Sequence, residues 1–357
     1  MLEVYFATNR DIKEVGKRLV FGKRFNENGP QELRYGSAAI EKTAKGYKVK
    51  QIKLAPEKLE TKGKKVLGSK SILDALRTSM ADNQLDVICY IHGYAADIQT
   101  ALERAGEIKD KYKVAGQEAE VFVFSWPANG RMMPWLSYFS DRDDARASGV
   151  AIARAFLKLR DYLTELSKNQ RCRQSLHLVA HSMGNYALRW AFQGIRSELK
   201  NQVPRVFDNI FLMAADEDDD TFEHDHKLRL LPEMARAVHV YFSPDDRALF
   251  ISDKTKANPD RLGSLGPRVR EGLLRKVVLV DCRHVDISKD DLSNHQYYRS
   301  NSIVVGDVCR VLAGKSPEEI LGRTYIPEDR SWRIDAGAGG GKPARRAGVA
   351  EDDTRGR

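Results

Sequence analysis

The stretch that most constrains this chain is residues 175–184, SLHLVAHSMG. Leu176, Leu178 and Val179 form a short apolar run that stops at Ala180-His181-Ser182-Met183-Gly184. Tyr186, Leu188, Ala191 and Phe192 then recur at helical spacing. Strand, sharp turn, helix is the setting in which a small-x-Ser-x-Gly turn carries a nucleophile. The serine must stand at the strand end on a strained backbone, so the residues two away on either side must be small. Gly184 meets that demand, and Ala180 meets it less completely than a glycine would. A Ser-x-Gly alone says little, because strand-to-helix turns are rich in both for structural reasons; the flanks make this one specific.

The rest of the chain supplies a sheet for that turn to stand on. Residues 2–8 and 47–54 alternate as strands and 18–25 reads as another. With no strong helix between them, they suggest an antiparallel edge at the start of a sheet. Ile72, Leu73, Leu76 and Met80 mark a helix over 69–80. Residues 86–91, DVICYI, form a continuous apolar run suited to a strand buried on both faces, and His92-Gly93-Tyr94 follows directly. Ile98, Ala101, Leu102, Ala105 and Ile108 mark a helix, and 120–126, EVFVFSW, a strand stopped by Pro127. Ile152, Phe156, Leu159, Leu163 and Leu166 mark a long helix leading into the turn. Beyond it, 206–213 and 237–242 read as strands with 222–237 mostly helical between them, 275–280 as the last strong strand, and 302–312 as a closing helix. Alternating strands and helices predict an α/β fold, a mostly parallel sheet with helices on both faces. One domain is expected over 1–335, with edge strands and a lysine-rich segment in 1–84 and a core in 85–335; the tail 336–357 has almost nothing to bury and reads as disordered.

Charge narrows the partners. Ten lysines against Glu57 and Glu60 between Lys42 and Lys70 contribute +8 of the net +9. Tyr47 is the one aromatic residue among these lysines, short of the series of stacking side chains that a single-strand nucleic-acid binder requires. They read as a solvated edge that discourages strand pairing between molecules, with contact to an anionic surface as the alternative and no specific nucleic-acid partner. No window approaches the ~18 apolar residues of a membrane span. The opening MLEVYFATNR lacks the basic-then-apolar pattern of a secretory leader, which points to the cytoplasm. Cys89, Cys172, Cys282 and Cys309 show no metal-ligand spacing and read as free thiols.

Ile91-His92-Gly93-Tyr94, Phe124-Ser125-Trp126-Pro127, residues 180–185 and residues 241–249 occur in an order that resembles one bacterial branch of the alpha/beta-hydrolase superfamily, a domain of unknown function. Ala7-Thr8-Asn9-Arg10 and Tyr35-Gly36-Ser37 fit the same branch. The resemblance covers most of 86–301. It implies the alpha/beta-hydrolase fold and a Ser-His-Asp site of the esterase or lipase kind, and supplies no substrate.

Acyl transfer sets out what such a site needs. A serine hydroxyl near neutral pH requires a base to take its proton, and a buried carboxylate to fix and stabilise the histidine that does so. Asp245 and Asp246 follow the strand 237–242, and Asp216 follows 206–213. The resemblance favours Asp246, which stands directly before Arg-Ala-Leu. The acidic run 216–220 also suits the start of a following helix. For the base, a ring only a few residues off the last strong strand, like His284, has little freedom to reach back over the turn. His295 comes later, and its His-x-Tyr-Tyr context matches the resemblance. The oxyanion requires two N–H donors. Met183, opening the helix, is one and Tyr94 the expected second, with Gly93 allowing close approach and His92 structural. His224 and His226 form an H-x-H pair whose rings are expected to point apart without a third ligand, so neither a metal nor a cofactor is expected.

The expected activity is therefore a serine hydrolase acting on a small-molecule acyl ester or thioester. A non-catalytic hydrolase-fold binding protein, with its basic N-terminal face as the contact, is the alternative from another class; Ser182, Asp246 and His295 together argue against it. Transfer to an acceptor other than water shares every residue. In residues 127–144, Met132, Met133, Trp135, Leu136, Tyr138 and Phe139 either line an acyl pocket or pack onto the body.

Overall fold

The computed structural model describes residues 1–16, 18–56, 58–61, 64–128, 136–165, 174–249, 260–285 and 293–335. An eleven-stranded sheet runs through them. In chain order its strands are β1 (Leu2–Thr8), β2 (Arg34–Thr43), β3 (Gly46–Leu54), β4 (Val87–Ile91), β5 (Glu120–Ser125), β6 (Leu176–His181), β7 (Phe207–Met213), β8 (Ala235–Phe242), β9 (Val277–Asp281), β10 (Arg323–Ile326) and β11 (Ser331–Ile334). Their order across the sheet is β10-β11-β9-β8-β7-β6-β4-β5-β1-β2-β3. Every pairing from β11 to β1 is parallel. The pairings β1–β2, β2–β3 and β10–β11 are antiparallel. This is an alpha/beta-hydrolase fold with the antiparallel N-terminal edge that the early strands predict.

The helices α1 (Gly68–Asn83), α2 (Ile98–Lys111), α3 (Leu136–Glu165), α4 (Met183–Glu198) and α5 (Ser302–Leu312) cover both faces. Alternation along the strands decides which side chain meets which layer. Leu178, Ala180, Ile210 and Leu212 pack with α3 and α4, whereas Val179, Phe211 and Met213 pack with α2 and α5. Strand β6 is thus buried on both sides, as its apolar run requires. It sits between β4 and β7, where the chain has laid β5 and β1 to one side and will lay β7, β8 and β9 to the other. Sites in open α/β sheets gather at the carboxyl ends of strands at such a switch point.

Three sequence expectations need correction. Residues 222–237 are not mostly helical: they form turns and one 3-10 turn, Leu231–Met234, before β8 begins at Ala235. Pro232 removes an N–H there, and buried ion pairs from Lys227 to Asp218 and Asp220 hold the chain in turns instead. Helix α5 does not close the fold, because β10 and β11 follow it and extend the far edge. They are tied back by Arg323, whose Nε and Nη2 reach the α5 carboxylate Asp307 at 2.7 and 2.6 Å. The rings of His224 and His226 do not diverge but stack, with centroids 5.2 Å apart at the surface. Among the described residues no three histidine, cysteine, aspartate or glutamate side chains gather as a metal site.

Strand β3 is the outer edge, and Lys48, Lys50 and Lys53 on it are exposed. Cys89, Cys282 and Cys309 are free thiols, while Cys172 lies outside the described residues, as do Met132, Met133, Trp135 and the tail from Ala336. No helix among the described residues is long and apolar enough to cross a membrane.

Candidate active site

Strand β6 ends at His181, α4 starts at Met183, and Ser182 between them takes φ +53° and ψ −126°. An L-residue adopts such angles only when its surroundings impose them. Here the Ser182 N–H donates to the Met213 carbonyl at 3.0 Å, and its carbonyl accepts the N–H groups of Asn185 at 3.0 Å and Asp216 at 3.2 Å. Asn185 Nδ2 adds bonds to the carbonyls of Ala180 and Ser182 at 3.0 and 3.1 Å. The need for small residues is steric. A Cβ on Gly184 would stand 2.6 Å from the Ile91 carbonyl oxygen, and one on Gly93 would stand 2.7 Å from Ser182 Cβ. The chain after β4 therefore runs directly over the serine.

That chain is held from several sides. His92 is buried, stacks on Trp126 with centroids 5.1 Å apart, and accepts the Trp126 N–H at Nε2 (3.2 Å). Its Nδ1–H therefore donates to the Gly93 carbonyl at 2.9 Å. Burial, with the nearby Arg10 charge, pushes the His92 pKa well below its ordinary value, so the ring is neutral and structural. Ala95 takes φ +54°, and its N–H reaches Asp141 Oδ2 at 3.4 Å. Arg10, fully buried, donates from Nη2 to the Ala96 carbonyl at 2.8 Å, from Nε to Ser125 Oγ at 3.1 Å and from Nη1 to the Ala128 carbonyl at 3.3 Å. One guanidinium from the end of the first strand thus joins the loops after β4 and β5, a role that sequence reasoning did not assign to it. Met183 N–H opens α4, and Tyr94 follows Gly93 with its ring 5.8 Å from that of Tyr138.

Asp246 and His295 meet. His295 Nδ1 lies 2.7 Å from Asp246 Oδ2, and both residues are buried. The other oxygen, Oδ1, accepts the N–H groups of Ala248 and Leu249 at 3.1 and 3.2 Å. The segments carrying the pair are joined by the Arg247 N–H, which donates to the Ser293 carbonyl at 2.9 Å. His295 stands beside the serine turn by way of His181, whose ring centroid is 4.7 Å from that of His295. His181 Nε2–H donates to the His295 carbonyl at 3.0 Å, and the ring also stacks on Tyr298 at 4.5 Å. Its Nδ1 has no hydrogen-bond partner among the described residues. Burial, and then the neighbouring His295, hold its pKa well below the ordinary histidine range, so it is neutral. Residue type and position gave no sign of this contact beyond adjacency to Ser182.

The other carboxylate candidates go elsewhere. Asp216 accepts the Tyr138 hydroxyl at 2.6 Å and pairs with the buried Arg261 at 3.3 Å. Asp218 binds Arg261 Nη1 at 2.6 Å and Lys227 at 2.9 Å. Burial pushes the Asp218 carboxyl upward, but these cations outweigh it and its pKa falls below the usual carboxylate value. Glu217 is fully buried against Arg189 at 3.0 Å, and there burial wins and raises the pKa. The acidic run is thus part of an ion-pair cluster and starts no helix. Asp245 Oδ2 accepts the backbone N–H of His284 at 3.4 Å, and the His284 side chain is exposed. Tyr138 is half-buried and Phe139 exposed, with their ring centroids 5.9 Å apart.

No curated protein and no solved structure matches this chain. The profile of an alpha/beta hydrolase family of unknown function, DUF900, matches residues 69–314, which is more than half of its length. The chain belongs to that family.

Proposed function

We propose that the protein is a serine hydrolase that cleaves a carboxylic ester or thioester through an acyl-enzyme on Ser182. The observation that carries this reading is the Asp246–His295 pair, held at 2.7 Å beside a serine on a strained strand-to-helix turn. Asp246 is fixed by two backbone amides, so it presents one oxygen to Nδ1–H and leaves Nε2 as the basic nitrogen of His295. As Ser182 Oγ bonds to the acyl carbon, its proton passes to Nε2, and Asp246 stabilises the imidazolium. The carbonyl oxygen becomes an oxyanion that accepts from the Met183 and Tyr94 N–H groups. Nε2 then gives the proton to the leaving alkoxide or thiolate. In the second half, water attacks the acyl-enzyme with the same base, releasing the carboxylic acid and restoring Ser182.

The roles fit their surroundings. Met183 N–H belongs to the first turn of a sixteen-residue helix, where the helix dipole favours negative charge. The Tyr94 loop is held by Arg10 and Asp141, so that donor need not reorganise during reaction. A panel of p-nitrophenyl esters graded by acyl length tests the reading. Wild type is expected to release p-nitrophenol with saturation kinetics and a length preference, and Ser182→Ala to release none above background. Equal rates from both proteins would refute it.

A further inference from the structure

The face of the sheet that packs against α3 and α4 carries a second feature, whose lining does not include Ser182. Between α1, α3, α4 and the strands lies a cavity of about 570 Å³. Leu76 and Met80 of α1, Phe156 and Leu159 of α3, Ile195 of α4 and Phe207 of β7 line it. Ser182, Asp246 and His295 do not. Interiors are otherwise close-packed, and an apolar space of this size is an exception to that rule. Its volume lies within the range of ligand pockets.

Tyr35 of β2 lines this cavity and also a polar pocket of about 300 Å³ next to it. Its hydroxyl is buried and has no hydrogen-bond partner among the described residues. A buried hydroxyl is costly unless something completes its hydrogen bond. The polar pocket is lined by Arg154 and Lys158, one turn apart on α3. Neither makes an ion pair among the described residues: Arg154 donates to the Gln31 carbonyl at 2.6 Å, and Lys158 lies 3.4 Å from Ser69 Oγ. The remaining cation there, Arg34, is already paired with Glu32. Helix α3 thus turns one stripe, Ile152, Ala155, Phe156 and Leu159, toward the apolar space and the adjacent stripe of two cations toward the polar one. Burial and then Arg154 disfavour the lysine cation, Glu32 of the same pocket opposes them only in part, and a bound anion would relieve the remainder.

We propose that these two spaces form one binding site for a long-chain carboxylate, with the chain in the apolar cavity and the head group between Arg154, Lys158 and the Tyr35 hydroxyl. The site stands apart from the reacting serine, and its occupancy does not depend on turnover.

The test uses full-length Ser182→Ala protein, stripped of bound lipid, so that binding is read without hydrolysis. The probe is 11-(dansylamino)undecanoic acid, followed by its fluorescence, with palmitate, hexadecanol and acetate as competitors. Palmitate is expected to displace the probe, hexadecanol to compete roughly tenfold less well for want of the charge–charge contact, and acetate not to compete. Lys158→Glu and, separately, Ala155→Trp, which fills the cavity, are expected to weaken palmitate by about tenfold or more. Because Lys158 is half-exposed on a helix, Lys158→Glu serves if Ala155→Trp does not fold. Failure of palmitate to displace the probe, equal displacement by palmitate and hexadecanol, or wild-type affinity in a folded Lys158→Glu protein would each overturn the proposal. Loss of esterase activity elsewhere in the molecule has no bearing on these outcomes.

Discussion

His295 Nδ1 lies 2.7 Å from Asp246 Oδ2, while Asp216, the other carboxylate near the serine turn, faces Tyr138 and Arg261 instead. The two aspartates therefore have separable effects. Asp246→Asn replaces an acceptor of the Nδ1–H bond with an amide and is expected to lower kcat by on the order of 10⁴-fold with little loss of stability. Asp216→Asn leaves Arg261 its ion pair with Asp218 and is expected to cost about 1 to 2 kcal/mol of stability while the folded fraction keeps most of its turnover. Steady-state esterase assays paired with urea denaturation distinguish them. The opposite pattern would make Asp216 the acid.

The two histidines after β9 divide in the same way. His295 is buried against Asp246, whereas the His284 side chain is exposed. His295→Ala is expected to remove nearly all turnover, on the order of 10⁴-fold or more, and His284→Ala to change it by less than about threefold. Circular dichroism on both variants separates lost chemistry from lost structure. A dead His284→Ala beside an active His295→Ala would contradict the assignment.

Arg10 bonds to carbonyls of the loops after both β4 and β5. Arg10→Lys keeps the charge but cannot span the partners of a planar guanidinium. We expect kcat to fall roughly 10- to 100-fold with KM little changed, because the Tyr94 N–H is displaced from the oxyanion more than from the substrate. A trifluoromethyl ketone, which forms a tetrahedral adduct with the serine, should lose affinity in parallel with kcat. Unchanged kcat and ketone affinity in a protein with only a lower Tm would reduce Arg10 to a stabilising residue.

What was legible in the sequence follows from how locally each feature is specified. The β6–turn–α4 unit could be read because steric demand at Ser182 forces small residues at fixed spacing. The parallel strands could be read because burial on both faces demands continuous apolar runs. Residues 222–237 misled because Leu228, Leu231 and Met234 imitate a helical stripe, while the ion pairs of Lys227 that fix the turns join residues chosen for contact, not for pattern. The hairpin β10–β11 escaped notice because strands as short as RTYI and SWRI carry no periodicity. Arg10 and His181 were silent for a related reason. Their partners lie as far as 118 and 114 residues away, and a single arginine or histidine carries no mark of the carbonyl it will meet.

Asp144 on α3 offers a pH signature. Burial, with Asp141 and Asp143 adding to it and Arg10 opposing, raises its pKa from 3.8 to about 6. The folded state then holds this proton more tightly than the unfolded chain does. The contribution to stability is present at low pH and lost as pH rises through about 4 to 6. Asp144→Asn is expected to stabilise the protein by roughly 1 kcal/mol near pH 7.5, solvent screening at a half-exposed carboxyl keeping the gain modest, and to do nothing near pH 4. Urea denaturation at the two pH values measures the difference; a gain that is the same at both would show that the carboxyl is not perturbed.

The central claim is that Ser182 forms the covalent intermediate, and an active-site-directed fluorophosphonate tests it most directly. The Asp246–His295 base should promote phosphonylation of Ser182 Oγ, giving one adduct per chain that peptide mass spectrometry places on the tryptic peptide carrying Ser182. Ser182→Ala should remain unlabelled under the same conditions, and His295→Ala should label far more slowly. Labelling of Ser182→Ala to the same extent as wild type, or an adduct on any other residue, would contradict the account.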